Sequence, residues 1–124
     1  MMKKILIVED EQSLLKLLEL NFKSSGYEVF KAINGEEAFA VAMREQPNLI
    51  LLDILLPGES GINVLERLKK NEKTKAIPVV MLTNFNEPER IEQARKKGAV
   101  DYLVKSSNDP STVLEKVKKY LEEE

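Results

Sequence analysis

The stretch from Asn48 to Pro57, NLILLDILLP, limits the architectures open to this chain more than any other. Its aliphatic run, Leu49 to Leu52, is too short for a free-standing helix and has no polar alternation, so it reads as a strand covered on both faces. Strands of that kind belong to parallel sheets, whose crossover helices lie above and below them. The run stops at the carboxylate of Asp53, and Pro57-Gly58 cannot extend a central strand. An acid therefore stands where a buried strand ends. It is costly there unless it is paired, hydrogen-bonded or metal-bound.

The rest of the chain supplies the alternation that such a sheet needs. Lys4 to Glu9 is a β-branched apolar run, and Asp10 is placed to cap a helix running to about Ser24, with Leu14, Leu15, Leu18 and Phe22 on its inner face. Tyr27 to Ala32 forms a second strand, Asn34-Gly35 a turn, and Glu36 to Glu45 a helix with Ala38, Phe39, Ala42 and Met43 on one side. Ser60 caps a third helix carrying Ile62, Leu65 and Leu68, and Ile77 to Thr83 is the fourth strand. Asn86-Glu87-Pro88 reads as the cap and first turn of a fourth helix, whose apolar stripe of Ile91 and Ala94 is thin and which Gly98 ends. Val100 to Val104 is a fifth strand, and Asp109-Pro110 starts a fifth helix with Val113, Leu114, Val117, Tyr120 and Leu121 inward. Strand and helix alternate five times, which predicts an α/β fold: a doubly wound parallel sheet with helices on both faces, in one domain spanning 1–124.

Composition removes whole classes of chemistry. There is no Cys and no His, so disulfides, zinc sites and imidazole or thiolate mechanisms are excluded, and any metal must be hard and oxygen-bound. A net charge of −2 gives no reason to expect nucleic-acid binding, and no apolar run approaches the ~18 residues of a membrane span. The N-terminal MMKKILIVED is too short in its apolar part for a signal peptide, so a cytoplasmic location is expected.

In a doubly wound sheet, ligands bind outside the carboxyl ends of the strands, where the strand order reverses. Strand one ends at Glu9 and Asp10, strand three at Asp53, strand four at Thr83 and strand five near Lys105. Singly these are a solvated charge, a helix cap, a turn residue, a β-former and a surface lysine. No capping or turn rule asks for all of them on one edge. Clustered carboxylates raise one another's pKa unless a cation compensates, and Lys105 and a divalent ion, Mg²⁺ being the natural one for oxygen ligands, would do so. Asp53 could then attack phosphorus as a carboxylate nucleophile, with Mg²⁺, Lys105 and Thr83 meeting the phosphoryl oxygens.

The set Glu9-Asp10, Asp53 within DILLPGESG, Thr83 and Lys105 resembles the receiver domain of two-component response regulators, in particular the single-domain, chemotaxis-regulator type, over nearly the whole chain. The resemblance implies a flavodoxin-like three-layer sandwich with strand order 2-1-3-4-5. It makes Asp53 the phosphoacceptor, Asp10 a direct Mg²⁺ ligand, Glu9 a ligand largely through water and Leu55 a ligand through its backbone carbonyl. Thr83 and Lys105 would bind phosphoryl oxygens, and Tyr102 would change rotamer as Thr83 moves, altering the surface of helix four, strand five and helix five. The phosphodonor would be a phosphohistidine on a sensor histidine kinase or phosphotransfer protein, and the chain would catalyse only its own phosphorylation and dephosphorylation. Three positions depart from the family pattern: Asn84 stands where a small residue is usual, Ser106 replaces a proline, and Val100 replaces an acid found in regulators that dimerise. A monomer or weak dimer is expected, with no output domain, no nucleic-acid contact and no membrane contact.

Two other readings compete. An aspartyl-nucleophile phosphatase of the haloacid-dehalogenase type would carry a second acid two residues after the nucleophile, and that position is Leu55. A receiver-like scaffold that binds partners without phosphorylation would commonly lack an acid or the lysine, and all are present. Nucleotide binding has less support, because no glycine-rich phosphate loop follows the first strand.

Overall fold

The computed structural model describes residues 2–122. Five strands, β1 (Lys4–Val8), β2 (Glu28–Ala32), β3 (Leu49–Leu52), β4 (Val79–Thr83) and β5 (Asp101–Val104), form one sheet in the order β2-β1-β3-β4-β5. Every neighbouring pair is parallel. Four helices, α1 (Gln12–Ser24), α2 (Gly35–Glu45), α3 (Gly61–Lys70) and α4 (Pro88–Lys96), make the crossovers, and a fifth, α5 (Pro110–Leu121), follows the last strand. The fold is the expected doubly wound α/β sandwich.

Side-chain alternation along the strands divides the core in two. Ile5, Ile7, Leu49, Leu51, Val80 and Leu82 face Leu15, Leu18 and Phe22 of α1 and Val113, Val117 and Leu121 of α5. Leu6, Val8, Ile50, Leu52, Val79 and Met81 face Ala38, Val41 and Ala42 of α2, Val64, Leu65 and Leu68 of α3, and Ala94 of α4. All four residues of β3 are buried, as a central strand between two helical layers requires. The helix starts follow local chemistry. Asn34 Oδ1 accepts from the Glu37 N–H at 2.8 Å while Glu37 Oε1 accepts from the Ile33 N–H at 2.8 Å, a reciprocal cap on α2. Ser60 Oγ accepts from Ile62 N–H and Asp109 Oδ1 from Thr112 N–H, capping α3 and α5.

Several boundaries and faces differ from the sequence reading. The N-cap of α1 is Glu11, without a side-chain capping bond, so Asp10 is not spent on the helix. The N-cap of α4 is Glu87 rather than Asn86, with Pro88 in its first turn. Strand β2 begins after Tyr27 and β4 after Pro78, because ladder pairing rather than residue type sets where a strand starts. Leu14, Met43 and Tyr120 are only partly buried, and Val41 takes the inward place on α2. Ile91 is 37% exposed, leaving Ala94 as the buried residue of α4. A single 3-10 turn, Lys105–Ser107, follows β5. No helix among the described residues is long and apolar enough to cross a membrane.

The two-sided core predicts a large penalty for truncation in β3. Leu51→Ala removes a side chain that is 1% exposed and is expected to lower unfolding free energy by about 2–5 kcal/mol, measured by urea denaturation followed by circular dichroism.

Candidate functional site

The site is built by strand register. Val8 of β1 and Leu52 of β3 are directly paired, so Glu9 and Asp53 are the next residues on adjacent strands. The ladder continues one step past both strands: Asp53 N–H donates to the Val8 carbonyl at 3.2 Å and Glu9 N–H to the Ala32 carbonyl at 3.0 Å. Strand β1 has β2 on one side and β3 on the other, so the helices following β1 and β3 leave on opposite faces and a crevice opens between the strand ends. Glu9 and Asp53 lie in it, 2% and 4% exposed.

Lys105, just past β5, reaches across to both. Its Nζ is 2.7 Å from Glu9 Oε1 and 2.8 Å from Asp53 Oδ2. The remaining carboxylate oxygens take backbone donors: Glu9 Oε2 accepts from Glu11 N–H at 3.0 Å and Asp53 Oδ1 from Leu55 N–H at 3.3 Å. Asp10 is exposed, and one oxygen from each of Glu9, Asp10 and Asp53 lies within 4.8 Å of the others. At that spacing two charged carboxylates repel by roughly 3 kcal/mol in a medium of effective dielectric constant about 20.

The titration behaviour follows from these contacts. Burial pushes the Glu9 carboxyl above its ordinary range, with Asp53's charge adding to the effect, while Lys105 and the Glu11 N–H partly oppose it. Burial is also the largest influence on Lys105 and pulls it down, but hydrogen bonds and attraction from Asp53 and Glu9 together outweigh it and hold the ammonium above its usual pKa. Lys105 is thus an ammonium ion that one cation's worth of charge cannot stretch over three carboxylates. The surplus negative charge and the oxygen-only donor set suit a divalent, oxygen-preferring metal.

The other expected residues are placed as follows. Thr83 ends β4 and is 1% exposed; its Oγ1 accepts only a long contact, 3.5 Å, from Phe85 N–H. Tyr102 lies on β5 and its hydroxyl donates to the Phe85 carbonyl at 2.6 Å, and burial raises the hydroxyl's pKa. The Phe85 ring carries the Arg90 guanidinium at 3.9 Å, so the loop after Thr83 is bound to β5 on one side and to α4 on the other. Leu55 is 68% exposed beside Asp53. Asn84 and Ser106 are exposed, and with Glu11, Leu14, Leu17 and Lys105 they line a shallow concavity of about 280 Å³ at the site's edge. Among the described residues no peptide bond is cis, so Lys105–Ser106 is trans.

Gly61 is a residue that the sequence reading passed over. A β-carbon there would be driven into the Asp53 carbonyl oxygen, and its N–H donates to the Ile54 carbonyl at 2.7 Å. The first turn of α3 is therefore pressed against the backbone just past the end of β3. A second glycine, Gly58, has φ +81° and makes the turn between them. The signal was present as P-G-E-S-G, in which two glycines bracket the helix cap.

Residues 5–118 match the family model of the response regulator receiver domain. The chain belongs to that family. It is 36% identical over 121 residues to sporulation initiation phosphotransferase F of Bacillus subtilis, covering 98% of this chain and 95% of that protein. The chemotaxis response regulator CheY4 of Vibrio cholerae superposes with a TM-score of 0.90 at 30% identity, covering 98% of this chain and 100% of the other. The Mn²⁺-bound form of response regulator Rcp1 superposes with a TM-score of 0.82 at 32% identity, covering 97% and 95%. The chain spans only 45% and 43% of the length of two longer curated relatives that match it at 43% and 39% identity. Receiver domains of this family are phosphorylation-dependent signalling switches, and the pocket of Glu9, Asp10 and Asp53 fits a metal-assisted phosphorylation site.

The packing of Gly61 gives a test of how tightly the site is held. Gly61→Ala is expected to destabilise the domain by ~1–3 kcal/mol and to weaken divalent-metal binding in the same variant, measured by urea denaturation and by calorimetric titration.

Proposed function

We propose that this receiver domain takes a phosphoryl group from a phosphohistidine on a sensor histidine kinase or relay protein onto Asp53, in a Mg²⁺-dependent reaction, and that the acyl phosphate resets the surface of α4, β5 and α5 for a protein partner. The observation that carries this reading is the convergence of three carboxylates within 4.8 Å of one another, two of which, Glu9 and Asp53, one lysine already bridges.

In the reaction, an Asp53 carboxylate oxygen forms a bond to phosphorus as the phosphorus–nitrogen bond of the donor breaks, and the imidazole leaves with the electron pair of that bond. Glu9, Asp10, Asp53 and the Leu55 carbonyl would hold Mg²⁺, which supplies charge neutralisation at the phosphoryl oxygens. Lys105 exchanges its contact with Asp53 for a phosphoryl oxygen, so the new negative charge meets an ammonium ion already desolvated and in place. Thr83 Oγ1, buried and weakly engaged, is free to turn and donate to another oxygen. Its movement pulls on the loop that holds Phe85, whose carbonyl binds Tyr102 and whose ring binds Arg90 of α4. Burial holds α4 through little more than Ala94, so its position can respond to this loop at small cost. Asn84, beside the site, is expected to set how long the phosphoryl group persists.

Turnover of small phosphoesters is not part of this proposal, because Leu55 occupies the place where an acid/base group would be needed. Incubation with acetyl phosphate, with and without Mg²⁺, followed by intact-mass measurement, is expected to give one Mg²⁺-dependent phosphoryl adduct that is absent from Asp53→Asn. An equal adduct in that variant, or none in the unaltered protein, contradicts the proposal.

A further inference from the structure

Asn108 is a buried polar side chain, 9% exposed, in the segment between β5 and α5, and the phosphoryl-transfer reading gives it no part. Its Nδ2 donates to the Val104 carbonyl at 2.8 Å and its Oδ1 accepts from Lys116 Nζ at 2.6 Å. Its backbone N–H donates to the Lys105 carbonyl at 3.2 Å. Val104 is the last residue of β5, Lys105 opens the 3-10 turn, and Lys116 lies on α5. One residue thus ties together the strand end before Lys105, the turn that begins at it and the helix after it. Ser106 and Ser107 are exposed, so neither anchors the turn by burial.

We infer that Asn108 is the positioning residue for Lys105, fixing the backbone from which the ammonium spans Glu9 and Asp53. The physical need is plain from the geometry. The Lys105 side chain is 14% exposed and must place one nitrogen 2.7 Å and 2.8 Å from oxygens just past the ends of two different strands, on a flexible four-carbon stem. A stem of that length reaches such a point reliably only when its α-carbon does not move. A proline after the lysine would stiffen this turn by fixing φ, and Ser106 supplies no such constraint. Asn108 supplies it instead through bonds to both flanking elements. Its removal leaves the Val104 carbonyl without that donor and lets the turn shift, and a displacement near 1 Å in a positioning group can cost about two orders of magnitude in rate.

The inference rests on the phosphoacceptor reading of Asp53, and the test separates the two. The rate constant for Mg²⁺-dependent phosphorylation by acetyl phosphate would be measured by intact mass for the unaltered protein and for Asn108→Ala. Mg²⁺ affinity would be measured by calorimetry and thermal midpoint by circular dichroism on the same samples. Asn108→Ala is expected to lower the phosphorylation rate constant roughly tenfold or more while Mg²⁺ affinity is held or tightened, since all three carboxylates remain and Lys105 competes less for them. An unchanged rate constant, with or without a lower thermal midpoint, shows that Asn108 serves stability alone and overturns the inference. A parallel loss of rate and Mg²⁺ affinity also overturns it, because the damage then reaches the whole site. If Asn108→Ala does not fold, Asn108→Asp decides in its place: it keeps the acceptor for Lys116, loses the amide donor to Val104, and carries the same expectation. Absence of any adduct in the unaltered protein sinks the phosphoacceptor reading itself.

Discussion

Three carboxylates at adjacent strand ends, answered by one partly buried ammonium, are the constraint on which this structure turns. The charges are not balanced. Lys105 bridges Glu9 and Asp53, and Asp10 is left at the edge with no compensating group of its own among the described residues. A site assembled for stability would not keep an excess of like charge in a crevice where burial already pushes Glu9 upward. The excess makes sense as a standing attraction for a divalent cation and, behind it, for a phosphoryl group.

The sheet makes that repulsion tolerable by fixing where each charge stands. Register places Glu9 and Asp53 side by side, and the ladder bonds that continue past Val8 and Leu52 keep them there. Gly61 lets α3 close on the Asp53 backbone, and the turn at Lys105 is pinned by Asn108. On the far side of the site the restraint is much lighter. The loop after Thr83 is held by the Tyr102 hydroxyl and the Arg90–Phe85 stack, and α4 is anchored by Ala94 and by a Lys97–Glu66 ion pair at 3.2 Å on the surface. Such a solvent-screened surface pair adds little. Rigidity on the β1–β3 side and slack on the β4–α4 side suit an element that senses chemistry at one place and reports it at another.

Much of this was legible in the amino-acid order. Leu49 to Leu52 could only be a central strand, and the alternation of strand and helix signals around it left a doubly wound sheet as the architecture. Because parallel strands put their carboxyl ends on one edge, the alternation of elements alone brings the residues ending each strand together. Glu9, Asp10, Asp53 and Lys105 do meet there. What local sequence could not reveal depends on contacts distant in the chain. Asp10 looked like a helix cap because an acid before a helix usually is one, and the cap fell instead to Glu11, which bonds no helix N–H through its side chain. Tyr102 could be named from its place on β5, but not its bond to the carbonyl of Phe85, 17 positions away. Asn108 gave no signal at all, since a polar residue before an Asp-Pro helix start reads as loop.

Whether the carboxylate cluster is electrostatically strained and relieved by metal is tested most directly by Asp10→Asn, because Asp10 is exposed and caps no helix. Thermal unfolding of the variant and the unaltered protein would be compared in metal-free buffer and in Mg²⁺. Relief of repulsion predicts a higher midpoint for Asp10→Asn without metal, and a Mg²⁺-induced rise that is large in the unaltered protein and small in the variant. A lower metal-free midpoint for the variant, or the same Mg²⁺-induced rise in both proteins, would contradict it.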